Sequence, residues 1–362
     1  MPLIDKYLQE LLEQHGSDLH LIASHKPTMR IYGDLVQMED MPELTGEEIE
    51  KMGFEIFSVE IKEKLPAEKN MDFAYEMVVP GGENRRFRGN TYYQKQGLNI
   101  ILRAIPNGMP TLESLGLPAS LKKLTHFHQG LILATGPSGC GKTSTLAALV
   151  ELINVTKSVH IITVEDPIEY IFQSKKALIN QRQVGLHVES FQMALKGALR
   201  EDPDVIFIGE LRDLETIQLA ITAAETGHLV MGTMHTNNAP RTIDRIIDSF
   251  PVDQQAQIRT MLSESLKGII SQKLIKKKEG KGRLPAVEIL IGTISVANII
   301  RDGKTFQLMS VIQTGKKEGM TLMDTSIMKL FRNGLISAEE AAVHAQDPSL
   351  FKKKTQSEIT TG

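Results

Sequence analysis

The octapeptide GPSGCGKT, residues 136–143, restricts this chain more than any other stretch. It satisfies G-x-x-x-x-G-K-[ST] in full, with the apolar run GLILAT before it and the helix-suited run TSTLAALVELIN after it. In a strand, glycine-rich turn and helix, backbone N–H groups converge on phosphate oxygens. The glycines let the chain curl, and the helix N-terminus adds partial positive charge. The loop predicts a nucleotide site built from Gly136, Pro137, Ser138, Gly139, Cys140, Gly141, Lys142, Thr143 and Ser144. Lys142 is the cation for the β- and γ-phosphates, and the Thr143 hydroxyl is placed to ligate Mg²⁺, so ATP with Mg²⁺ is expected. Cys140 reads as a small residue of the loop.

Such a loop belongs in a parallel α/β sheet, and the surrounding sequence agrees. GLILAT, HIITVE, DVIFIGE and HLVMGTMH are compact apolar runs of the kind buried parallel strands show. TSTLAALVELIN, FQMALKGALRED and DLETIQLAITAAETG suit helices between them. The alternation predicts a doubly wound α/β domain from about residue 119. Polar residues close each strand. DVIFIGE ends in Gly209 and Glu210, where P-loop enzymes usually carry Asp and then Glu. Glu210 is therefore assigned as the base that orients or deprotonates the attacking water, and Glu165 to Mg²⁺ through a bound water. Asp166 and Glu169 are as readily helix caps as site residues. His235 is placed to sense the γ-phosphate, while His228, at the start of its strand, reads as structural. The loop, Glu165, Glu210 and His235 thus fall on the C-terminal edge of the sheet, where open α/β sheets bind ligands.

The first hundred residues have a different texture. Leu3, Ile4, Tyr7, Leu8, Leu11 and Leu12 recur at helical spacing. MRIYGDLVQM predicts two short strands around a Gly33-Asp34 turn. Thr45 with Glu48 predicts a capping box. Met71, Phe73, Tyr75 and Met77 alternate as in a strand, and RRFRGNTYYQ and LNIILRAI read as further strands. They carry Arg85, Arg86, Arg88 and Arg103. These either reach a nucleotide as cations for charge developing on the γ-phosphate, or form a solvated face paired with local acids. The stretch PNGMPTLESLGLP reads as a linker, giving domains of residues 1–107 and 119–362 joined by residues 108–118. From about residue 240 the chain looks mainly helical, with KLIKKKEGKGRL as a solvated loop and KKKTQSEITTG as a disordered tail.

A formal net charge of −3 argues against a bulk electrostatic grip on nucleic acid. The single cysteine excludes an intramolecular disulfide and a zinc site built on cysteine pairs. The N-terminus lacks the pattern of a signal peptide, and no apolar run reaches the ~18 residues of a membrane span. A soluble cytoplasmic protein is expected.

SDLHL with MRIYGDL behind it, GPSGCGKTST, ITVEDPIEY, ALREDPDVIFIGELRD, TAAETGHLVMGTMHT, RTIDRIIDSFP and SVIQTGKKEGM occur in order along nearly the whole chain. In these segments it resembles the PilT-like retraction ATPases of type IV pili, within the type II secretion/type IV pilus ATPase superfamily. The resemblance implies a PAS-like α+β N-terminal domain followed by a RecA-like P-loop ATPase domain with a helical C-terminal portion. It also implies a ring of six subunits, with the nucleotide held between the two domains and Arg88 and Arg103 as arginine fingers. The implied partners are an inner-membrane platform protein and, indirectly, pilin; nucleic acid is not among them. The implied location is cytoplasmic, peripheral at the inner membrane. The chain begins at the PAS-like domain and has no tetracysteine motif, unlike the superfamily's assembly ATPases. SVANIIRD departs from the AIRNLIRE-type motif tied to retraction, with Ala297 where the first arginine is expected and Arg301 kept. The alternatives are an accessory PilU-like or assembly ATPase of the same superfamily and, from another class, a nucleic-acid-binding RecA-type protein.

Overall fold

The computed structural model describes residues 2–105, 108–280 and 282–352. The chain divides into two compact units, Met1–Gly108 and Met109–Gly362. The first contains α1 (Asp5–Glu13), β1 (Gly16–Leu21), β2 (Thr28–Ile31), β3 (Asp34–Gln37), α2 (Gly46–Ile56), α3 (Val59–Glu68), β4 (Asn70–Val78), β5 (Asn84–Gln94) and β6 (Gly97–Ala104). Its strands form one antiparallel sheet in the order β3-β2-β1-β6-β5-β4. The two residues between β2 and β3, Tyr32 and Gly33, both have positive φ (49° and 103°), the backbone a tight hairpin of matching twist requires. Thr45 and Glu48 form the capping box that opens α2. Leu98, Ile100 and Leu102 of β6 bury one face of the sheet with Leu8 and Leu11 of α1 and Ile49 and Met52 of α2. With a side-chain period of two, the intervening positions go to the other face, and there Arg86, Arg88 and Arg103 lie, while Arg85 falls on the side of Phe87.

The second unit contains β7 (Gly130–Thr135), α4 (Lys142–Thr156), β8 (His160–Glu165), β9 (Leu178–Gln183), α5 (Phe191–Ala198), β10 (Val205–Ile208), α6 (Leu214–Glu225), β11 (Leu229–Met234), α7 (Ala239–Asp248), α8 (Val252–Ser265), β12 (Leu266–Lys276), β13 (Arg283–Ile291), α9 (Ile294–Arg301), α10 (Leu308–Thr314), α11 (Met323–Arg332), α12 (Ala338–His344) and α13 (Ser349–Lys352). The sheet order is β13-β12-β7-β11-β10-β8-β9. All pairs are parallel except β12 with β13. Every residue of β7, β10 and β11 is buried, which is why their sequences are unbroken apolar runs.

Three expectations change. The region beyond residue 240 is mainly helical, and within it β12 and β13 pair along nine positions and extend the sheet. Residues 273–276 and 283–284 of KLIKKKEGKGRL lie in those strands. LINQRQ is an additional strand, β9, at the opposite edge; half-exposed along its length, it has no apolar run to announce it. Leu112 and Leu117, within the segment read as linker, are buried in the core of the second unit. The tail from residue 353 lies outside the described residues.

Candidate active site

The phosphate-type loop leaves β7 and enters α4 at Lys142. Gly136 has φ 143°, and a Cβ there would sit 2.3 Å from the Gln272 carbonyl oxygen and 2.7 Å from Cys140 Sγ. No side chain fits that position. Gly141 has φ 89° and closes the turn as the N-cap of α4. Lys142 is 8% exposed, and its Nζ donates to the carbonyls of Gly136 and Pro137 at 3.0 Å each. Burial lowers its pKa, opposed by Cys140 and by the carboxylates of Glu210 and Glu169. Thr143 follows, half-buried, at the start of the helix. The Ser144 hydroxyl meets Tyr170 Oη at 2.7 Å, tying the helix to the segment after β8. Burial raises the Cys140 thiol's pKa, so it is a packed thiol rather than a reactive thiolate.

Glu210 follows β10. Its Oε1 accepts from Arg212 Nε at 2.7 Å and lies 3.1 Å from His235 Nε2. Burial alone would raise its pKa. The hydrogen bond and charge of Arg212, with His235 and Lys142, outweigh that effect and hold the carboxyl below its ordinary range. Glu210 is therefore a carboxylate at neutral pH. The glycine before it has a steric reason: a Cβ on Gly209 would lie 3.2 Å from Glu165 Cα and 3.4 Å from the Val164 carbonyl oxygen. Strand β8 leaves no comfortable room for an aspartate there.

Glu165, at the end of β8, is 2% exposed. Its carboxyl accepts from Thr163 Oγ1 at 2.7 Å and from Gln181 Nε2 at 3.3 Å. Burial pushes its pKa up to about 7, against those two hydrogen bonds and one from the Glu169 amide. The carboxylates that act on Lys142 are Glu210 and Glu169. The structure thus gathers Lys142, Glu210, His235 and Glu169 at the strand ends and sets Glu165 among side chains of β8 and β9. His228 Nδ1 pairs with the Ala223 carbonyl at 3.0 Å, a structural tie at the end of α6. Two contacts of these residues are absent from the sequence reading, Arg212 on Glu210 and Gln272 on the loop. Arg212 stands two residues after the assigned base and could have been found from that spacing. Nothing local marks Gln272.

Arg88, Arg103 and Arg30 form a row across the sheet of the first unit. Arg88 stands opposite Arg103 across β5 and β6, and Asp18 stands opposite both Arg103 and Arg30 on β1's two sides. Residues directly opposite share a face of the sheet. Arg103 Nε donates to Asp18 Oδ1 at 2.7 Å, with the side chain 61% exposed. Arg88 lies 3.7 Å from Asp72, Arg86 2.8 Å from Glu76 and Arg85 3.9 Å from Glu83. Each of the four has an acidic neighbour on the first unit.

Among the described residues, no group of three or more His, Cys, Asp or Glu side chains converges as a metal cage. Mg²⁺ at nucleotide sites is held by phosphates, waters and one or two side chains, and the hydroxyl of Thr143 at the start of α4 is a donor of the kind it takes. No helix among the described residues is long and apolar enough to cross a membrane.

The family model described as Type II/IV secretion system protein matches residues 1–288. The type IV pilus retraction ATPase PilT of Pseudomonas aeruginosa is 46% identical over 339 residues, 94% of this chain and 97% of the relative. A twitching motility protein of Neisseria gonorrhoeae is 45% identical, over 90% of this chain and 86% of its own length. A crystal structure of the pilus retraction motor PilT with bound ADP superposes with a TM-score of 0.85 at 44% identity, covering 98% of this chain and 99% of that one. Fold and sequence together define an ATPase architecture of an N-terminal domain and a RecA-like domain. The chain belongs to the Type II/IV secretion system protein family, and within it is a PilT-like ATPase.

Proposed function

We propose that this chain is a motor that hydrolyses ATP at the loop of residues 136–143 and powers type IV pilus retraction, hence twitching motility. It works as a homohexamer at the cytoplasmic side of the inner membrane, docked on the platform protein of the pilus machine and acting indirectly on pilin. The observation that carries the chemistry is Glu210: an ionised carboxylate, fixed by Arg212 and His235, at the strand end beside the loop lysine. A carboxylate held in this way is poised to orient a water or take its proton. His235 shares an oxygen with that base, so a contact between His235 and a γ-phosphate would be felt by Glu210. Lys142 supplies positive charge from a desolvated position, where it acts more strongly than in water. Mg²⁺, when bound, would supply further neutralisation of phosphate charge, and Thr143 with a carboxylate, Glu165 or Glu169, would hold it.

Arg88 and Arg103 are the fingers in this reading. Asp18 grips Arg103 by Nε, which leaves the two terminal nitrogens of the guanidinium for an anion. The domains of the reading are residues 1–107 and 119–362, with residues 108–118 between them. The test of the function is deletion of the gene in its native host. Excess surface pili with lost twitching is the expected result, and bald cells would overturn it in favour of assembly. One observation favours a second reading: Ala297 of α9 replaces an arginine of the retraction motif. An accessory PilU-like role would show as no change in piliation or twitching on deletion.

A further inference from the structure

Strand β12 reaches the phosphate-type loop from far away in the sequence. It runs beside β7 as far as Ser271, opposite Thr135, and the two hydroxyls are bonded at 2.8 Å. The strand then continues past the end of β7 with Gln272, which is 5% exposed. The Gln272 side-chain amide has one donor and one acceptor pointed at the loop. Nε2 donates to the Cys140 carbonyl at 2.6 Å, and Oε1 accepts from Thr145 Oγ1 at 2.7 Å. The Thr145 hydroxyl is also 3.1 Å from the Gly141 carbonyl oxygen, so the bonds of Gln272 bracket the turn at Cys140–Gly141. The two glycines that the motif specifies are crowded by this same residue. A Cβ on Gly136 would meet its backbone oxygen at 2.3 Å, and one on Gly141 would meet its Nε2 at 2.9 Å.

We propose that Gln272 is a positioning residue for nucleotide binding, fixing the curl of the loop so that its N–H groups converge before the phosphates arrive. The proposal rests on the reading of residues 136–143 as the phosphate site. Gln272 touches no phosphate itself; it acts through the backbone of Cys140 and Gly141 and through Thr145. A preformed cradle binds more tightly because less ordering remains to be done on binding. Removing the amide takes its donor from the buried Cys140 carbonyl and leaves the Thr145 hydroxyl only the Gly141 carbonyl, and the loop relaxes to satisfy them elsewhere.

Gln272→Leu keeps the bulk and removes both bonds. In the full chain, the Kd for ADP and the KM for ATP rise about tenfold, with kcat at saturating ATP within about twofold of the parent. A purely structural role would instead lower Tm and leave Kd and KM unmoved, and that result overturns the proposal. Gln272→Glu keeps the test alive if the leucine variant does not fold. A protonated acid reproduces both bonds, whereas an ionised one faces the Cys140 carbonyl. ADP affinity of this variant should stay near the parent's at about pH 6 and fall well below it at about pH 8.5, the parent being measured at both. Parent-like affinity at both values overturns the proposal. Lys142→Ala separates the two readings. If it binds ADP normally, the phosphate-loop reading fails. If it loses ADP while the Gln272 variants bind normally, only the role of Gln272 fails.

Discussion

The strand ends of the second unit and the open sheet face of the first both carry charge, and they hold it in opposite ways. In the second unit the charges are desolvated and shared. Lys142 bonds two loop carbonyls, and Glu210 serves Arg212 and His235 with one oxygen. In the first unit each arginine stands beside an acid; Arg85 and Arg86 are mostly covered, whereas Arg88 is partly exposed and Arg103 is mostly in water. Buried charge is set by its surroundings, so its pKa and orientation are built in. Exposed pairs contribute little by themselves, typically under about 1 kcal/mol, and gain strength only when a ligand or partner removes the water. In the proposed function, the strand ends of the second unit hold the nucleotide and the arginines of the first are a reserve of cations.

That contrast gives an ordered set of outcomes. The largest effect belongs to Glu210→Gln, which should lower kcat by about 10²–10⁴-fold while ATP binding survives. Phosphate release beside a fluorescent-nucleotide titration measures both, and turnover near the parent rate would remove Glu210 as the base. Next come Arg103→Ala and Arg88→Ala. Each should lower kcat by about 10-fold or more, since a finger acts on the transition state; Tm stays nearly unchanged for Arg88→Ala, whose pair with Asp72 is exposed, and falls for Arg103→Ala, which leaves the buried Asp18 carboxylate without its cation. Normal hydrolysis in both would leave the arginines as a solvated face and break the comparison.

Glu288 asks whether burial alone produces strong effects away from the site. It is fully buried and accepts the Ala239 amide at 2.9 Å, at the N-terminus of α7. Glu288→Ala should destabilise the chain by about 2–3 kcal/mol in a urea titration, with ADP affinity of the folded protein unaltered. A loss of under about 0.5 kcal/mol would show that buried acids here are less coupled to their surroundings than the comparison holds.

The smallest effect is a pH dependence. The folded pKa of Glu165 is raised to about 7 from 4.5, chiefly by burial. The unfolded chain thus releases this proton first. The stabilising contribution is complete below 4.5, declines as pH rises, and is gone above about 7. Glu165→Gln imitates the protonated acid and should lose about 2 kcal/mol less than the parent between pH 5 and pH 8 in urea titrations. Identical slopes would mean the carboxyl is already ionised in the folded protein.

Much of this was legible along the chain. The strand–loop–helix unit, the apolar runs of β7, β10 and β11, the hairpin around Gly33 and the capping box at Thr45 are local patterns. Each reports a short-range rule of turn geometry, periodicity or capping. The three strand-end groups Glu165, Glu210 and His235 were placed correctly along their strands for the same reason. What the pattern could not carry was β9 and the pair β12–β13. β9 is half-exposed, and β12 interrupts its apolar residues with the buried polar pair Ser271 and Gln272. Buried polar residues are stable in a strand only when a partner is present, and here the partners are 127–136 residues away in sequence.

The sequence by itself determined that there is a phosphate-type loop, which side chains enter it, and which strand ends surround it. Only the tertiary structure decided that Glu210 is shared by Arg212 and His235, that Glu165 is buried with a raised pKa, and that Gln272 braces the loop from β12. Residue identity and spacing are properties of the chain. Desolvation and long-range hydrogen bonding exist only after distant strands have paired.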